Sequence, residues 1–273
     1  MDKQATNRQP VSAETGEPSY WTASRKPLQI LVFLLPLIIL YELGLVLLLR
    51  TESGIITNKA HESLLRFFVA FGVNATGGLF LGGIAIVVVL FIWHLLTKDS
   101  WRVELETTGL MGLESIVLIL PLLVLGRIVR QTAIMTQAPG GHDLFELMAL
   151  SGPTGLADLG LWSGMAISVG AGLYEELLFR MMMIAALHTL LVDLGRMPHR
   201  LGAGIALVVS SIAFALYHRD PALGLSMQKF VFYFLAGLYF GVIYLIRGFG
   251  IVVAVHAFYD ILTVAVMNDQ ASV

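Results

Sequence analysis

The chain has no cysteine among its 273 residues, and only 13% of its residues are charged. Without cysteine it forms no disulfide, carries no lipidated cysteine and has no thiol nucleophile. A soluble domain carries about 25% charged residues, so the shortage of charge argues against a soluble protein. The net charge of −2 gives no reason to expect a nucleic-acid partner. Cofactor-binding motifs are absent as well, and we expect no cofactor.

Long apolar segments account for the shortage of charge. Hydrophobic residues make up 57% of the chain, and its mean hydropathy is +0.81. A helix needs about 20 such residues to cross about 30 Å of hydrocarbon. The sequence therefore predicts an all-α, polytopic transmembrane helical bundle in the lipid bilayer, with about seven to eight spans. The clearest segments are Pro27–Leu49, Ala75–Leu96, Gly109–Leu125, Gly155–Leu191, Leu201–Tyr217, Val231–Ile246 and Ile251–Val266.

The fourth of these segments, Gly155–Leu191, is too long for a single crossing. At about 1.5 Å per residue, an unbroken helix of this length would exceed about 50 Å. Gly170 and Gly172 are the positions where a break would cost least, and a break there would add the eighth span. The orientation in the membrane is not determined, because Lys and Arg divide almost evenly between the two sides.

These patterns divide the chain into four parts. Residues 1–26 are a polar tail that we expect to be disordered, and residues 269–273 are a short C-terminal tail. Residues 27–153 carry the N-terminal membrane helices and interfacial segments, and residues 154–268 carry the remaining helices. Glu114, near the entry of the third apolar segment, is expected to have an interfacial role rather than a functional one.

Charged residues inside the fourth segment are the strongest sign of a function. Glu175, Glu176 and Arg180 lie in otherwise apolar sequence. Each such charge at the centre of a membrane helix costs about 2.5–3.5 kcal/mol, so these side chains must face protein or a water-filled cavity. We therefore expect a polar intramembrane cavity that contains a functional site.

Two further segments place ionisable residues in apolar helices. Phe214 and His218 lie at the end of the fifth segment, and His256 and Asp260 lie inside the last one. The members of each pair are four residues apart and share a helix face. Three such groups are costly to maintain in a membrane unless they line one shared site.

The two glutamates are expected to have different roles. Glu176 and Arg180 share a helix face, so we expect them to form a structural ion pair, because an unpaired buried charge is costly. Glu175 points about 100° away and is free to face the cavity. A carboxylate there can hold and deprotonate a water, with His218 hydrogen-bonding the same water.

His256 and Asp260 suit the other half of such a reaction. Both can donate hydrogen bonds to a carbonyl oxygen as negative charge develops on it. Asp260 donates only when protonated, and otherwise it orients His256. Together these residues amount to water-mediated amide hydrolysis within the membrane.

The ordered pattern E-E-x-x-x-R, F-x-x-x-H and H-x-x-x-D resembles the CPBP family of intramembrane proteases, also called the ABI family, which includes the CAAX prenyl endopeptidases and many bacterial relatives. The resemblance covers about Leu156–Val266. It implies a catalytic helical core in residues 154–268, a membrane-associated protein or peptide as substrate, and a bacterial inner membrane as location. The implied catalytic residues are Glu175, His218, His256 and Asp260, supported by Glu176, Arg180 and Phe214.

One position departs from part of the family, and the use of a metal stays open. CAAX-processing relatives have Asn at the position of Asp260. Many bacterial members have Asp there, as this chain does. The H-E-x-x-H zinc motif is absent, because Ser63 and two leucines follow His61-Glu62. The G-x-S-G and G-x-G-D signatures of serine and aspartyl intramembrane proteases are absent too. We favour metal-independent chemistry, with a zinc site as the alternative.

Two other functions stay open. A non-catalytic member of the same family, acting as a membrane scaffold or immunity protein, would use the same fold. A proton-coupled transporter would use intramembrane Glu, His, Arg and Asp as a relay, but it predicts repeat symmetry that the sequence lacks. Neither the substrate nor the oligomeric state follows from the sequence.

Overall fold

The computed structural model describes residues 19–52, 54–135, 160–219, 224 and 226–271. Within these ranges the chain is helical apart from one two-stranded sheet, so the predicted all-α class is confirmed. In chain order the elements are α1 (Tyr20–Ala23), α2 (Pro27–Leu47), β1 (Arg50–Thr51), β2 (Gly54–Ile55), α3 (Lys59–Ala70), α4 (Ala75–Thr97), α5 (Leu105–Val117), α6 (Leu120–Met135), α7 (Leu161–Leu194), α8 (His199–Tyr217), α9 (Met227–Arg247) and α10 (Phe249–Ala271).

In the described part of the chain, 7 helical stretches are long and apolar enough to cross a membrane. Six of them are α2, α4, α7, α8, α9 and α10, and the other is Leu105–Val129, which joins α5 to most of α6. Pro121 is the second residue of α6, where its missing N–H removes no helical hydrogen bond. The chain is therefore an integral, multi-pass membrane protein.

From Leu161 onward the long fourth segment forms one continuous helix, so the expected break at Gly170 or Gly172 is wrong. These glycines instead allow neighbouring helices to approach closely. A Cβ atom on Gly172 would lie 2.8 Å from both the Val253 carbonyl oxygen and the Ala257 nitrogen of α10. Gly170 faces the Tyr41 ring of α2. Helix α7 therefore packs tightly between α10 and α2.

The second half of α7 departs from regular α-helical geometry. Leu177–Ile184 and Thr189–Leu194 are π-helical, and Ala185–His188 is α-helical between them. Segments with i to i+5 hydrogen bonds are rare and often mark functional sites. The first of them begins directly after Glu176, so the helix changes type at the charged run.

The N-terminal segment is ordered from residue 19 onward. Ala23 and Ser24 are buried, and Arg247 at the end of α9 donates to Ser24 Oγ over 3.1 Å. The expected disorder is therefore wrong for residues 19–26, and residues 1–18 lie outside the described residues. This short segment is attached to the C-terminal end of α9 through Arg247.

Glu114 has a structural role in the same region. It accepts hydrogen bonds from the Arg247 guanidinium, over 2.5 Å to Oε1 and 2.8 Å to Oε2, and from the Tyr20 hydroxyl. The guanidinium also lies 4.1 Å from the centre of the Trp21 ring. These contacts join α1, α5 and α9, and they support the expectation that Glu114 is not part of the functional site.

Helix α3 is fixed to the bundle by a buried histidine. Asn58 caps the helix by accepting from the His61 backbone N–H over 2.8 Å. His61 Nε2 lies 2.8 Å from the Leu79 carbonyl oxygen, so it donates, and Nδ1 accepts from the Tyr41 hydroxyl over 2.7 Å. The Tyr174 ring stacks on the imidazole at 4.5 Å. One side chain thus connects α3 to α2, α4 and α7.

Candidate active site

The seven residues singled out from the sequence meet in one cluster, which we call the site cluster. They come from three helices, and they span positions 175 to 260 of the chain. Helix packing therefore brings together what the sequence presents as three separate motifs. The members are Glu175, Glu176 and Arg180 on α7, Phe214 and His218 at the end of α8, and His256 and Asp260 on α10.

Arg180 and Glu176 form the buried ion pair that their spacing predicts. Nη1 of Arg180 lies 2.9 Å from Glu176 Oε1, and Nη2 donates to the Gly237 carbonyl oxygen over 3.3 Å. The guanidinium also lies 4.2 Å from the centre of the Phe214 ring and 5.3 Å from that of Phe240. A carboxylate, a carbonyl and two aromatic faces together satisfy this buried cation.

His256 is held between two carboxylates. Its Nδ1 lies 2.6 Å from Glu176 Oε1, and its Nε2 lies 3.4 Å from Asp260 Oδ2. The Phe240 ring stacks on the imidazole at 4.6 Å with an angle of 16° between the planes. Because ionised carboxylates only accept hydrogen bonds, this environment fits an imidazole that donates from both nitrogens. Glu176 therefore orients His256 in addition to pairing with Arg180.

Glu175 and His218 face each other across the site cluster. Oε2 of Glu175 lies 3.5 Å from His218 Nε2 and 4.0 Å from His256 Nε2. His218 Nδ1 lies 2.8 Å from the Phe214 carbonyl oxygen, so Nδ1 is the donor. The Tyr233 ring stacks on the His218 imidazole at 3.9 Å. These contacts fix the imidazole with Nε2 directed at the Glu175 carboxylate.

The protonation of His218 follows from its surroundings. The residue lies directly after the last spanning residue of α8, and burial lowers its pKa to about 3. The hydrogen bond to the Phe214 carbonyl opposes this shift, and the nearby positive charges of His256, Lys59 and Arg180 add to it. At neutral pH His218 is therefore uncharged, and Nε2 is a hydrogen-bond acceptor.

Exposure differs across the site cluster. The Glu176 side chain is 0% exposed and the Glu175 side chain 7%, whereas the Asp260 side chain is 27% exposed. Access from outside is therefore easiest near Asp260. The Glu175 carboxylate is less accessible than the Asp260 carboxylate.

Three contributions from α9 are not predicted from the sequence. Tyr233 stacks on His218, the Gly237 carbonyl accepts from Arg180, and Phe240 stacks on His256. Positions 233, 237 and 240 repeat at the spacing of one helix face, and this periodicity is the signal that could have found them. It is shared by any packed helix, so it does not by itself indicate a functional site.

Metal binding is the remaining question for the site cluster. Among the residues that the structure describes, no three or more His, Asp or Glu side chains form a group that could hold a metal ion. Both nitrogens of His256 already face carboxylate oxygens. Neither nitrogen of His256 can therefore bind a metal without losing a carboxylate partner.

Comparison with known proteins agrees with the geometry. A family model described as type II CAAX prenyl endopeptidase Rce1-like matches residues 157–262, which include every member of the site cluster. Neither the curated proteins nor the solved structures contain a match to this chain. The resemblance noted from the three motifs is thereby confirmed. Residues 157–262 are therefore similar to the Rce1-like family, and this similarity supports a CAAX-type intramembrane protease fold for that part of the chain.

Proposed function

We propose that this protein is an intramembrane endopeptidase that hydrolyses a peptide bond of a membrane-associated protein or peptide. One observation carries the proposal. Glu175 Oε2 and His218 Nε2 face each other at 3.5 Å, and His218 is an acceptor at this nitrogen. Two acceptors in this arrangement are suited to a water that donates one hydrogen bond to each.

The reaction follows from this arrangement. The water oxygen attacks the carbonyl carbon of the substrate while Glu175 takes one of the water protons. The carbonyl oxygen becomes an oxyanion, and the C–N bond then breaks as Glu175 returns the proton to the leaving amine. His218 orients the water throughout, because its Nδ1 is fixed by the Phe214 carbonyl.

His256 is placed to stabilise the oxyanion. Its Nε2 lies 4.0 Å from Glu175 Oε2, so it faces the region in which the water would react. Glu176 holds the opposite nitrogen, and Asp260 accepts from Nε2 until the oxyanion competes for that hydrogen. A donor that is already oriented stabilises the transition state without reorganisation. Asp260 therefore acts mainly by orienting His256.

The proposal is tested by hydrolysis of a peptide library from membrane proteins, with the purified protein in detergent. General acid–base catalysis contributes about 10²- to 10⁴-fold, so Glu175→Gln and His218→Ala should each lose at least about 10²-fold in activity. Glu106→Gln is the matched control, because Glu106 is an exposed glutamate in the first turn of α5, outside the site cluster. It should retain full activity.

The other outcomes separate the alternatives. Activity that survives a chelator supports the metal-free mechanism, whereas activity lost with chelator and restored by zinc would assign the chemistry to a metal. Full cleavage by the folded Glu175→Gln variant would overturn the proposed role of Glu175. A folded wild type that cleaves no peptide would favour a membrane scaffold.

Asp260, which matches many bacterial members, supports a bacterial inner membrane as the location.

A further inference from the structure

Tyr217 lies next to the site cluster and occupies an unspecified position of the F-x-x-x-H motif. It is the last residue of α8 and directly precedes His218. Its ring makes edge-to-face contacts with His218 at 5.2 Å and with Phe179 at 5.3 Å. Phe179 follows Glu175 by one helical turn and shares its face of α7. Tyr217 therefore lies over the face of α7 that carries the Glu175 carboxylate.

The hydroxyl of Tyr217 is buried and donates to no acceptor among the described residues. It lies within electrostatic range of Glu175 on one side. On the other side the Ala60 backbone N–H of α3 interacts with the hydroxyl oxygen as a donor, which leaves the hydroxyl hydrogen without an acceptor. A buried polar group without a partner costs the free energy of its lost hydration, so such groups are rare and often have a functional role. Glu175 Oε2 is likewise buried without a hydrogen-bond partner among the described residues.

The water held between Glu175 and His218 needs a hydrogen-bond donor to its oxygen. Glu175 and the Nε2 of His218 both accept, so they bind the two hydrogens of a water and leave its oxygen unsupported. His256, the donor of the site cluster, already faces Glu176 and Asp260. A phenol hydroxyl donates one hydrogen bond and is the type of group that the water oxygen lacks.

We propose that the Tyr217 hydroxyl donates a hydrogen bond to the water that Glu175 and His218 activate, which makes Tyr217 a further catalytic residue. The inference rests on the proposed peptidase function. The water gives its hydrogens to Glu175 and His218, accepts from Tyr217 with one lone pair, and directs the other lone pair at the substrate carbonyl. Tyr217 thus fixes the direction of attack and transfers no proton.

The test is the variant Tyr217→Phe, assayed with a peptide that the wild type cleaves. Phenylalanine keeps the ring contacts with Phe179 and His218 and removes only the hydroxyl. We expect kcat to fall about tenfold or more, the scale of one hydrogen bond in a transition state, with KM unchanged. The melting temperature should change little, because the hydroxyl hydrogen has no acceptor among the described residues. Tyr217→Met, which also lacks the hydroxyl, should show the same loss of kcat.

Tyr239→Phe is the matched control. It removes the same atom from α9, where the Tyr239 hydroxyl donates to the Leu118 carbonyl over 2.8 Å, outside the site cluster. Its kcat should equal that of the wild type. A Tyr217→Phe variant with wild-type kcat, or with a raised KM alone, would overturn the inference.

Failure of the two proposals can be told apart in the same assay. If Glu175→Gln and His218→Ala abolish cleavage while Tyr217→Phe keeps full kcat, only the role of Tyr217 is lost. If the Glu175 and His218 variants both cleave normally, the proposed function itself is overturned, and the inference falls with it.

Discussion

The Glu176–Arg180 pair is buried from solvent on every side. The exposed fractions of the two side chains are 0% and 1%. Arg180→Met keeps most of the side-chain volume but removes the guanidinium from Glu176, which then keeps His256 as its cationic partner. Removing one partner of a buried pair costs about 3–5 kcal/mol. We expect the free energy of unfolding to fall by about this amount, as measured by SDS titration in mixed micelles.

Arg66 provides the control for this prediction. It pairs with Glu62 at the same four-residue spacing and at 2.6 Å, but its side chain is 76% exposed. Exposed pairs contribute about 0–1 kcal/mol, so Arg66→Met should change stability by less than about 1 kcal/mol. Equal losses in the two variants would contradict a stabilising role for the buried pair.

Local spacing explains which contacts of the site cluster could be predicted. Glu176 and Arg180 lie one turn apart on the same helix, so their contact follows from helix geometry alone. His256 also contacts Glu176, but the two residues are 80 positions apart. The packing of α7 against α10 brings these two side chains together, and no local sequence pattern predicts that contact. The three motifs predicted which residues would meet, but not that Glu176 would bind His256 as well as Arg180.

At the scale of helices, His61 makes the stability of α3 sensitive to pH. It lies outside the spanning segments, and burial lowers its pKa from 6.5 to about 4. As the pH falls through about 6.5, His61 therefore binds a proton in the unfolded chain while it is still uncharged in the folded protein. The contribution of His61 to the free energy of unfolding is therefore fully present above pH 6.5. It decreases by on the order of 3 kcal/mol as the pH falls towards 4. The lowered pKa of His218 acts in the same direction.

The variant His61→Gln isolates this effect. Glutamine can donate to the Leu79 carbonyl and accept from the Tyr41 hydroxyl, but it does not titrate in this range. We expect the melting temperature of the variant to depend less steeply on pH between 7.5 and 4.5 than that of the wild type. Parallel curves for the two proteins would show that His61 does not cause the dependence.

The close approach of α7 and α10 depends on Gly172. A Cβ atom there would lie 2.8 Å from backbone atoms of Val253 and Ala257, which cannot move aside as a side-chain end can. We expect Gly172→Ala to destabilise the protein by about 1–3 kcal/mol in the same SDS titration. Gly109, in α5, has no atom within 4 Å of such a Cβ. Gly109→Ala should therefore be neutral or stabilise by up to about 1 kcal/mol.

The same glycines show where reasoning from the sequence fails. Apolar length predicts where the helices lie, because a membrane span requires about 20 such residues. It also suggests a break in the fourth segment, and Gly170 and Gly172 are the natural positions for it. In the folded protein each glycine makes room for a neighbouring helix, and the space it leaves is filled by Tyr41 or by α10. Whether a glycine bends or packs depends on partners that local sequence does not reveal.

At the scale of the whole molecule, the N-terminal helices support the site cluster. The Rce1-like match begins at residue 157, but α7 is packed against α2 on one face. A Cβ atom on Gly44 would lie 2.8 Å from the Ala166 Cβ, and the Tyr174 ring next to Glu175 stacks on His61 of α3. These contacts bury the face of α7 opposite α10. Helix α7, which carries three of the site residues, therefore depends on α2 and α3 to cover this face.

This dependence can be tested by dividing the chain between residues 153 and 154. Residues 154–273 expressed alone should not form an active enzyme, because the face of α7 that meets α2 and α3 would be left without its partners. Co-expression with residues 1–153 should restore cleavage of the peptide substrate, since the two parts meet through packed helix faces. Both samples should be assayed at equal amounts of membrane-inserted protein, so that a difference in insertion is not mistaken for a difference in catalysis. Full activity of residues 154–273 alone would show that the matched segment folds its site without the N-terminal helices.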